Sequence, residues 1–191
     1  MTNDRDEESG SRAAGEFTRF FELHYDAVYR YALRRVGPDH ADDVASEAFG
    51  VAWARFDRVP RQSPLPWLYT VARNIVLARG RRARRRGELP DAFDGPWPHA
   101  PAEPDVTAQV LDRQAALSAL NRLKPKDREL VMLLAWEGLD LPTAAGVLGC
   151  TAATARVRLY RARRRIERLL GEGGAAATPR NHHLVSQEGP K

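Results

Sequence analysis

The stretch that most restricts what this chain can fold into runs from Leu139 to Leu170, LDLPTAAGVLGCTAATARVRLYRARRRIERLL. It predicts two helices joined by a tight turn. Pro142 suits the first turn of the leading helix, where a backbone N–H would go unpaired, and Gly149 suits its stop, because glycine readily takes the left-handed conformation. Thr151 then caps the second helix through its hydroxyl. From there Ala155, Leu159, Ala162, Ile166 and Leu169 recur at steps of three and four as one apolar stripe. Val157, Tyr160, Arg161, Arg164 and Arg168 fall on the opposite arc, flanked by Arg156, Arg158, Arg163 and Arg165. Charge runs are ordinarily solvated faces. Here the Gly149-Cys150-Thr151 turn follows a short helix with small residues (Ala144, Ala145, Gly146) at the crossing. That is the helix-turn-helix pattern, in which the second helix enters the major groove of DNA.

The chain has 191 residues, room for one or two domains, and its formal net charge of +5 is modest, so the distribution of charge matters more than its total. Composition switches abruptly at Gly87. Between Glu88 and Asp105 lie five prolines and five acids with no Lys or Arg, too proline-broken for a helix and long for a loop inside a compact domain. This predicts a flexible acidic linker over 87–108 between two small helical domains, 16–86 and 109–170, with disordered ends at 1–15 and 171–191. The expected class is all-α. The linker's charge opposes that of its neighbours, which serves solubility or mimicry of a nucleic-acid strand.

In the first domain a helix begins near Phe17, with Phe21, Tyr25, Val28, Ala32 and Val36 on one face and Gly37-Pro38 as its stop. A second, from Asp39 to about Phe56, carries Ala45, Phe49, Ala52 and Phe56 on one side, and Trp53 is read as widening the core surface. Asp42 and Asp43 suit a first turn because acids there oppose the helix dipole. Asp43 and Glu47 stand one turn apart with like charge, at a cost of about 0.2–0.5 kcal/mol, which a basic partner surface would reverse. A third helix opens at Ser63 as cap and Pro64, burying Leu68, Val71, Ala72 and Ile75 and leaving Trp67, Tyr69, Arg73 and Asn74 toward other sides. From Arg61 to Arg86 eight arginines (61, 73, 79, 81, 82, 84, 85 and 86) occur with no acid. Arginine interleaved with Trp and Tyr is the chemistry of melted DNA, guanidinium for phosphate and flat rings for unstacked bases. In the second domain Leu111, Ala115, Leu117, Leu120 and Leu123 lead to a helix from about Pro125 to Trp136 that buries Leu130, Val131, Leu133 and Leu134 and ends at Gly138.

Several classes are excluded or disfavoured. No run of some 18 apolar residues predicts a membrane span, and the polar, acidic N-terminus lacks the apolar segment of a secretory signal. The single Cys150 fits a reducing cytoplasm and reads as core filler. Neither a cofactor nor a metal site is expected: His182-His183 stand without further ligands, and Asp42, Asp43 and Glu47 have structural and partner-binding readings that outrank magnesium ligation.

Taken together, the residues Ala41-Asp42-Asp43-Val44-Ala45-Ser46-Glu47-Ala48-Phe49, Trp53 and Pro66-Trp67-Leu68-Tyr69-Thr70-Val71-Ala72-Arg73-Asn74 resemble region 2 of a bacterial RNA polymerase sigma factor of the two-domain, extracytoplasmic-function type. Leu123-Lys124-Pro125-Lys126-Asp127-Arg128-Glu129, Ala145-Gly146-Val147-Leu148-Gly149 and Thr154-Ala155-Arg156-Val157-Arg158-Leu159-Tyr160-Arg161-Ala162-Arg163 resemble its region 4. The resemblance covers 17–86 and 112–170. It implies that Asp42, Asp43 and Glu47 dock on the clamp coiled coil of the largest subunit of core RNA polymerase. Arg58, Arg61, Gln62 and Ser63 would pocket a flipped base of the minus-ten element, and Trp67, Tyr69, Arg73 and Asn74 would line the melted strand. Thr151, Ala152, Ala153, Thr154, Arg156, Val157, Tyr160, Arg161 and Arg164 would read the minus-thirty-five element in promoter DNA. The linker would thread the channel later used by RNA, and an anti-sigma factor is an expected partner.

Two departures bear on which promoter is read. The recognition helix opens Ala152-Ala153-Thr154-Ala155, with few donors for base edges, which shifts direct readout to Arg156, thymine methyls and DNA shape. Thr143 stands where the family often has an acid. The expectation is a cytoplasmic, non-enzymatic initiation factor without membrane insertion. A conventional helix-turn-helix regulator, acting apart from polymerase, explains Leu139 to Leu170 equally well but leaves the Arg61–Arg86 block without a role. A magnesium-dependent nuclease is the remaining alternative.

Overall fold

The computed structural model describes residues 3–87 and 115–176, which form helices joined by turns, with no strand among the described residues. In order these are α1 (Asn3–Val36), α2 (Pro38–Ala54), a 3-10 turn (Phe56–Arg58), α3 (Pro64–Arg85), α4 (115–121), α5 (Pro125–Ala135), α6 (Leu141–Val147) and α7 (Ala152–Ala176). The all-α expectation holds. The acidic stretch after Gly87 and the tail beyond Ala176 lie outside the described residues, as do Leu111 and the histidine pair.

Helix α1 begins at Asn3, ahead of both the expected start near Phe17 and the end of the stretch read as disordered (1–15). Residues 1–15 carry no apolar periodicity, yet propagating a helix is far easier than nucleating one. The expected stop is observed: Gly37 has φ +78°, its N–H bonds the Leu33 carbonyl at 3.1 Å, and Pro38 opens α2.

Three helices pack into the first unit. Val28, Tyr31 and Ala32 of α1, Ala41, Val44, Ala45, Ala48, Phe49 and Ala52 of α2, and Leu68, Ala72, Ile75 and Val76 of α3 are buried. Alanine-rich α2 lets its neighbours approach closely. Around its far end, rings from Phe17, Phe20, Phe21, Phe49 and Phe56 meet mostly edge to face, the preferred geometry for aromatic quadrupoles. Trp53 is only partly the core residue expected. It meets Phe17 edge-on at 4.9 Å but stays 50% exposed, because Ala52 takes the core position and the next residue is turned about 100° away. Ser63 occupies the cap position of α3 without making a side-chain cap bond. Pro66, the third helical residue, removes one of the two N–H groups such a cap would serve.

In the second unit Leu120, Leu123 and Ala162 form a small core with Val131 and Ile166 against it. Arg128 fastens the end of α4, its Nε donating to the Leu120 carbonyl at 3.0 Å and Nη2 to that of Asn121 at 2.7 Å. Leu130 and Leu133 of α5 are fully buried as expected, Val131 and Leu134 only partly, and Met132 and Glu129 are buried in addition. Asp140 caps α6, accepting from the Thr143 N–H at 2.8 Å, and that bond holds its carboxyl below the usual carboxylate range. The turn into α7 follows the sequence reading: Gly149 has φ +65°, and Thr151 Oγ1 accepts from the Thr154 N–H at 3.1 Å. The two units touch, with α3 against α6 and a polar cluster between α1 and the α5–α6 region.

Candidate nucleic-acid interface

Helix α7 divides as its periodicity requires. Ala155, Ala162 and Leu169 are buried, Leu159 and Ile166 partly so, whereas Arg156, Val157, Tyr160, Arg161, Arg164 and Arg168 face solvent. Thr151, Ala153 and Thr154 are exposed at the start of this face and Ala152 half-exposed beside them, so the nine residues expected to read duplex DNA share one surface. Val157 and Tyr160, 49% and 62% exposed, are large side chains left at the surface of this face. Cys150 is half-buried, with the Arg158 guanidinium against its sulfur at 3.7 Å.

The first unit presents a different surface. Arg58, Arg61, Gln62 and Ser63 are exposed together in the loop before α3, and the Arg61 guanidinium sits 4.3 Å from the centre of the Phe56 ring. Trp67 and Arg73 are half-buried and Asn74 is exposed. Tyr69 departs from the expectation. It is 3% exposed and stacked on Tyr31 at 5.0 Å, not turned outward with Trp67. Burial, helped by Glu137, pushes its hydroxyl up to about 12. The reason is tertiary: α1 and the second unit cover the flank of α3 that Tyr69 occupies.

Asp42, Asp43 and Glu47 are all exposed on α2, but they are not bare. The Tyr25 hydroxyl donates to Asp42, and burial together with that carboxylate raises the phenol to about 12. Arg79 of α3 donates to Glu47 at 3.0 Å and to Asp43 at 3.3 Å. The like-charge cost between Asp43 and Glu47 is therefore offset within the chain, and an external basic surface is not required to explain the pair. Periodicity could not reveal this partner, since Arg79 lies 32 residues from Glu47.

Sequence reasoning also missed the cluster joining the two units. Arg35 is fully buried at the end of α1, its Nε donating to both Glu129 oxygens at 2.9 and 3.1 Å and its Nη1 to Glu137 at 2.9 Å. Tyr31 donates to Glu129 at 2.9 Å, and Arg34 pairs with Glu137. Burial pulls the Arg35 guanidinium down, but Glu129, Tyr31 and Glu137 outweigh it and hold the group above its ordinary value. The available signal was Glu129 itself, an acid at core spacing one turn before Leu133.

No group of three or more His, Cys, Asp or Glu among the described residues lies close enough to hold a metal ion, and no helix among them is long and apolar enough to cross a membrane.

Comparison with known proteins agrees with the two-part layout. Residues 20–86 match the family model for sigma-70 region 2, and residues 113–166 match that for sigma-70 region 4. The chain is 34% identical over 165 residues to the ECF RNA polymerase sigma factor BldN of Streptomyces coelicolor, covering 82% of this chain and 61% of that one. It is 35% identical over 139 residues to the ECF RNA polymerase sigma factor EcfG of Rhodopseudomonas palustris, covering 72% of this chain and 75% of the relative. The sigma factor RpoE of Bartonella quintana, solved in complex with the anti-sigma factor NepR, superposes with a TM-score of 0.64 at 29% identity, over 82% of this chain and 97% of that one. Two exposed basic faces on separate helical units, matched in order to two regions of one family, show that the chain belongs to the ECF RNA polymerase sigma factors and, as a sigma factor, is not an enzyme.

Proposed function

We propose that this chain binds core RNA polymerase, carries it to promoter DNA and assists strand opening, working in the cytoplasm. The observation that carries the proposal is the pair of chemically different basic surfaces: a straight arginine face on α7 that fits a groove, and a loop with half-buried rings before and within α3 that fits unstacked bases. In this reading Thr151, Ala152, Ala153, Thr154, Arg156, Val157, Tyr160, Arg161 and Arg164 contact the minus-thirty-five element. Arg58, Arg61, Gln62 and Ser63 hold a flipped minus-ten base, and Trp67, Arg73 and Asn74 meet the melted strand, while Tyr69 is sealed behind them against Tyr31. Asp42, Asp43 and Glu47 dock on the polymerase clamp, exchanging Arg79 for the partner's basic side chains. The work is done by binding energy alone, phosphate contacts supplying affinity and base capture supplying opening. An anti-sigma factor, the partner in the Bartonella complex, is the expected antagonist.

The test is promoter binding with and without core polymerase. The sigma reading predicts a specific footprint over both elements only when polymerase is present. A tight footprint by the protein alone, unchanged by polymerase, would instead make it a conventional regulator.

A further inference from the structure

Asp43 and Glu47 are the two carboxylates that the reading above sets against the polymerase, and within the free chain both already hold a cation. Arg79 lies one turn beyond the buried Ile75 and Val76, where α3 leaves the core alongside α2. It reaches across with all three guanidinium nitrogens: Nε and Nη2 donate to Glu47 Oε2 at 3.3 and 3.0 Å, and Nη1 donates to Asp43 Oδ2 at 3.3 Å. Asp42 is held differently. It accepts from the Tyr25 hydroxyl, a neutral donor that brings no positive charge. Three features make the Arg79 grip one that another cation can take over. Its bonds are longer than the roughly 2.7–2.9 Å usual between charged partners. It engages one oxygen of each carboxylate, so neither is clasped by a two-oxygen fork. The pairs also stay wet: the side chains of Arg79, Asp43 and Glu47 are 34%, 63% and 48% exposed, whereas Arg35 is fully buried within its own pairs. Exposed pairs of this kind are weak and screened by salt, and they change partners at little cost.

We propose that Arg79 is an internal competitor of the polymerase: it occupies the seat on α2 that a basic side chain of the polymerase takes on docking, and so holds the factor's affinity below what its acidic face alone would give. The inference rests on the sigma reading above, and adds to it a residue whose removal strengthens binding. Without Arg79 the two carboxylates stand one turn apart with like charge and no cation of their own chain, a repulsion that an arriving partner relieves. With Arg79 in place the repulsion is already relieved, and docking becomes an exchange of one cation for another. An exchange changes the number of charge pairs little, so salt weakens it little through this face. Docking without Arg79 makes new pairs and is both tighter and more sensitive to salt. Were Arg79 instead the group that aligns the carboxylates for the partner, its loss would have the opposite sign.

The test measures binding of the full chain to purified core polymerase at low and at high salt. Arg79→Gln is expected to bind about three- to tenfold more tightly at low salt, with a steeper loss as salt rises and with melting unchanged. Arg19→Gln, which removes one positive charge from an exposed position on α1, should do neither. In a chain that also carries Asp43→Asn and Glu47→Gln the effect of Arg79→Gln should vanish, because the contested seat is gone. Should Arg79→Gln melt early, Arg79→Lys, which keeps the charge but not the two-armed grip, carries the same comparison with a smaller tightening. An Arg79→Gln chain that binds no more tightly, or one that tightens equally without the two carboxylates, would overturn the competitor while leaving the sigma reading intact. Failure of that reading looks different: no form of the chain then binds core polymerase, and both fall.

Discussion

Helices α3 and α7 are both rich in arginine, yet one keeps its basic face bare and the other is partly covered. On α7 the arginines from 156 to 168 are exposed or half-exposed, and the apolar residues turn inward at steps of three and four. On α3 Tyr69 is sealed against Tyr31 and the second unit, and Arg79 is paired with Asp43 and Glu47. A face built to enter a groove needs only one buried stripe behind it. A face built to meet unpaired bases needs rings, and rings without their ligand are apolar surface that other parts of the protein cover.

Substitutions should separate the covered region from the bare one. The largest effect is expected at Arg35→Ala, which leaves Glu129 buried without its cation and Glu137 with Arg34 alone, and should cost about 3–5 kcal/mol in denaturant unfolding. Arg161→Ala on α7 should stay within about 0.5 kcal/mol. Equal losses at the two positions would erase the distinction.

The covered tyrosines give a pH signature. Tyr69 is raised to about 12 and Tyr31 well above its ordinary 10, both chiefly by burial. Below pH 10 folded and unfolded chains are both protonated at these groups, and the stabilisation is fully present. Between pH 10 and about 12 the folded chain keeps a Tyr69 proton that the unfolded chain loses. Stability should then fall by up to about 1.4 kcal/mol per pH unit from Tyr69 alone. Tyr69→Phe should flatten that fall in thermal melts; an unchanged slope would mean the ring is not sealed.

On the bare side, Arg156→Ala should cost about 1–3 kcal/mol on the preferred promoter if the guanidinium reads a base edge. An equal loss on every sequence would reassign it to phosphate. The smallest effect is expected at Asp43→Arg, about 1 kcal/mol in binding to core polymerase as an exposed pair is reversed, with melting unchanged. Unimpaired binding would remove Asp43 from the docking surface.

What the sequence disclosed follows the reach of its signals. The α6–turn–α7 segment was legible almost atom by atom, because Gly149, Thr151 and the apolar stripe act within a few residues of one another. The stop at Gly37 was legible for the same reason. Tyr69, Arg34, Arg35, Glu129 and Arg79 were misplaced or overlooked because their partners lie 32 to 103 residues away, beyond any periodic window. Ser63 looked like a cap and makes no such bond; Pro66 withholds one of the two donors it could take, a conflict between two local rules that only the backbone resolves. The start of α1 was missed because its first residues carry no apolar periodicity to read.

The central claim, that two basic helical bodies direct a polymerase to DNA, is tested most directly by transcription in vitro with purified core polymerase over a promoter library. The account predicts that core polymerase with this protein initiates at a discrete set of sequences sharing two elements about 25 base pairs apart, and that core polymerase without it does not. Initiation unchanged by the protein, or selected by one element alone, would contradict it.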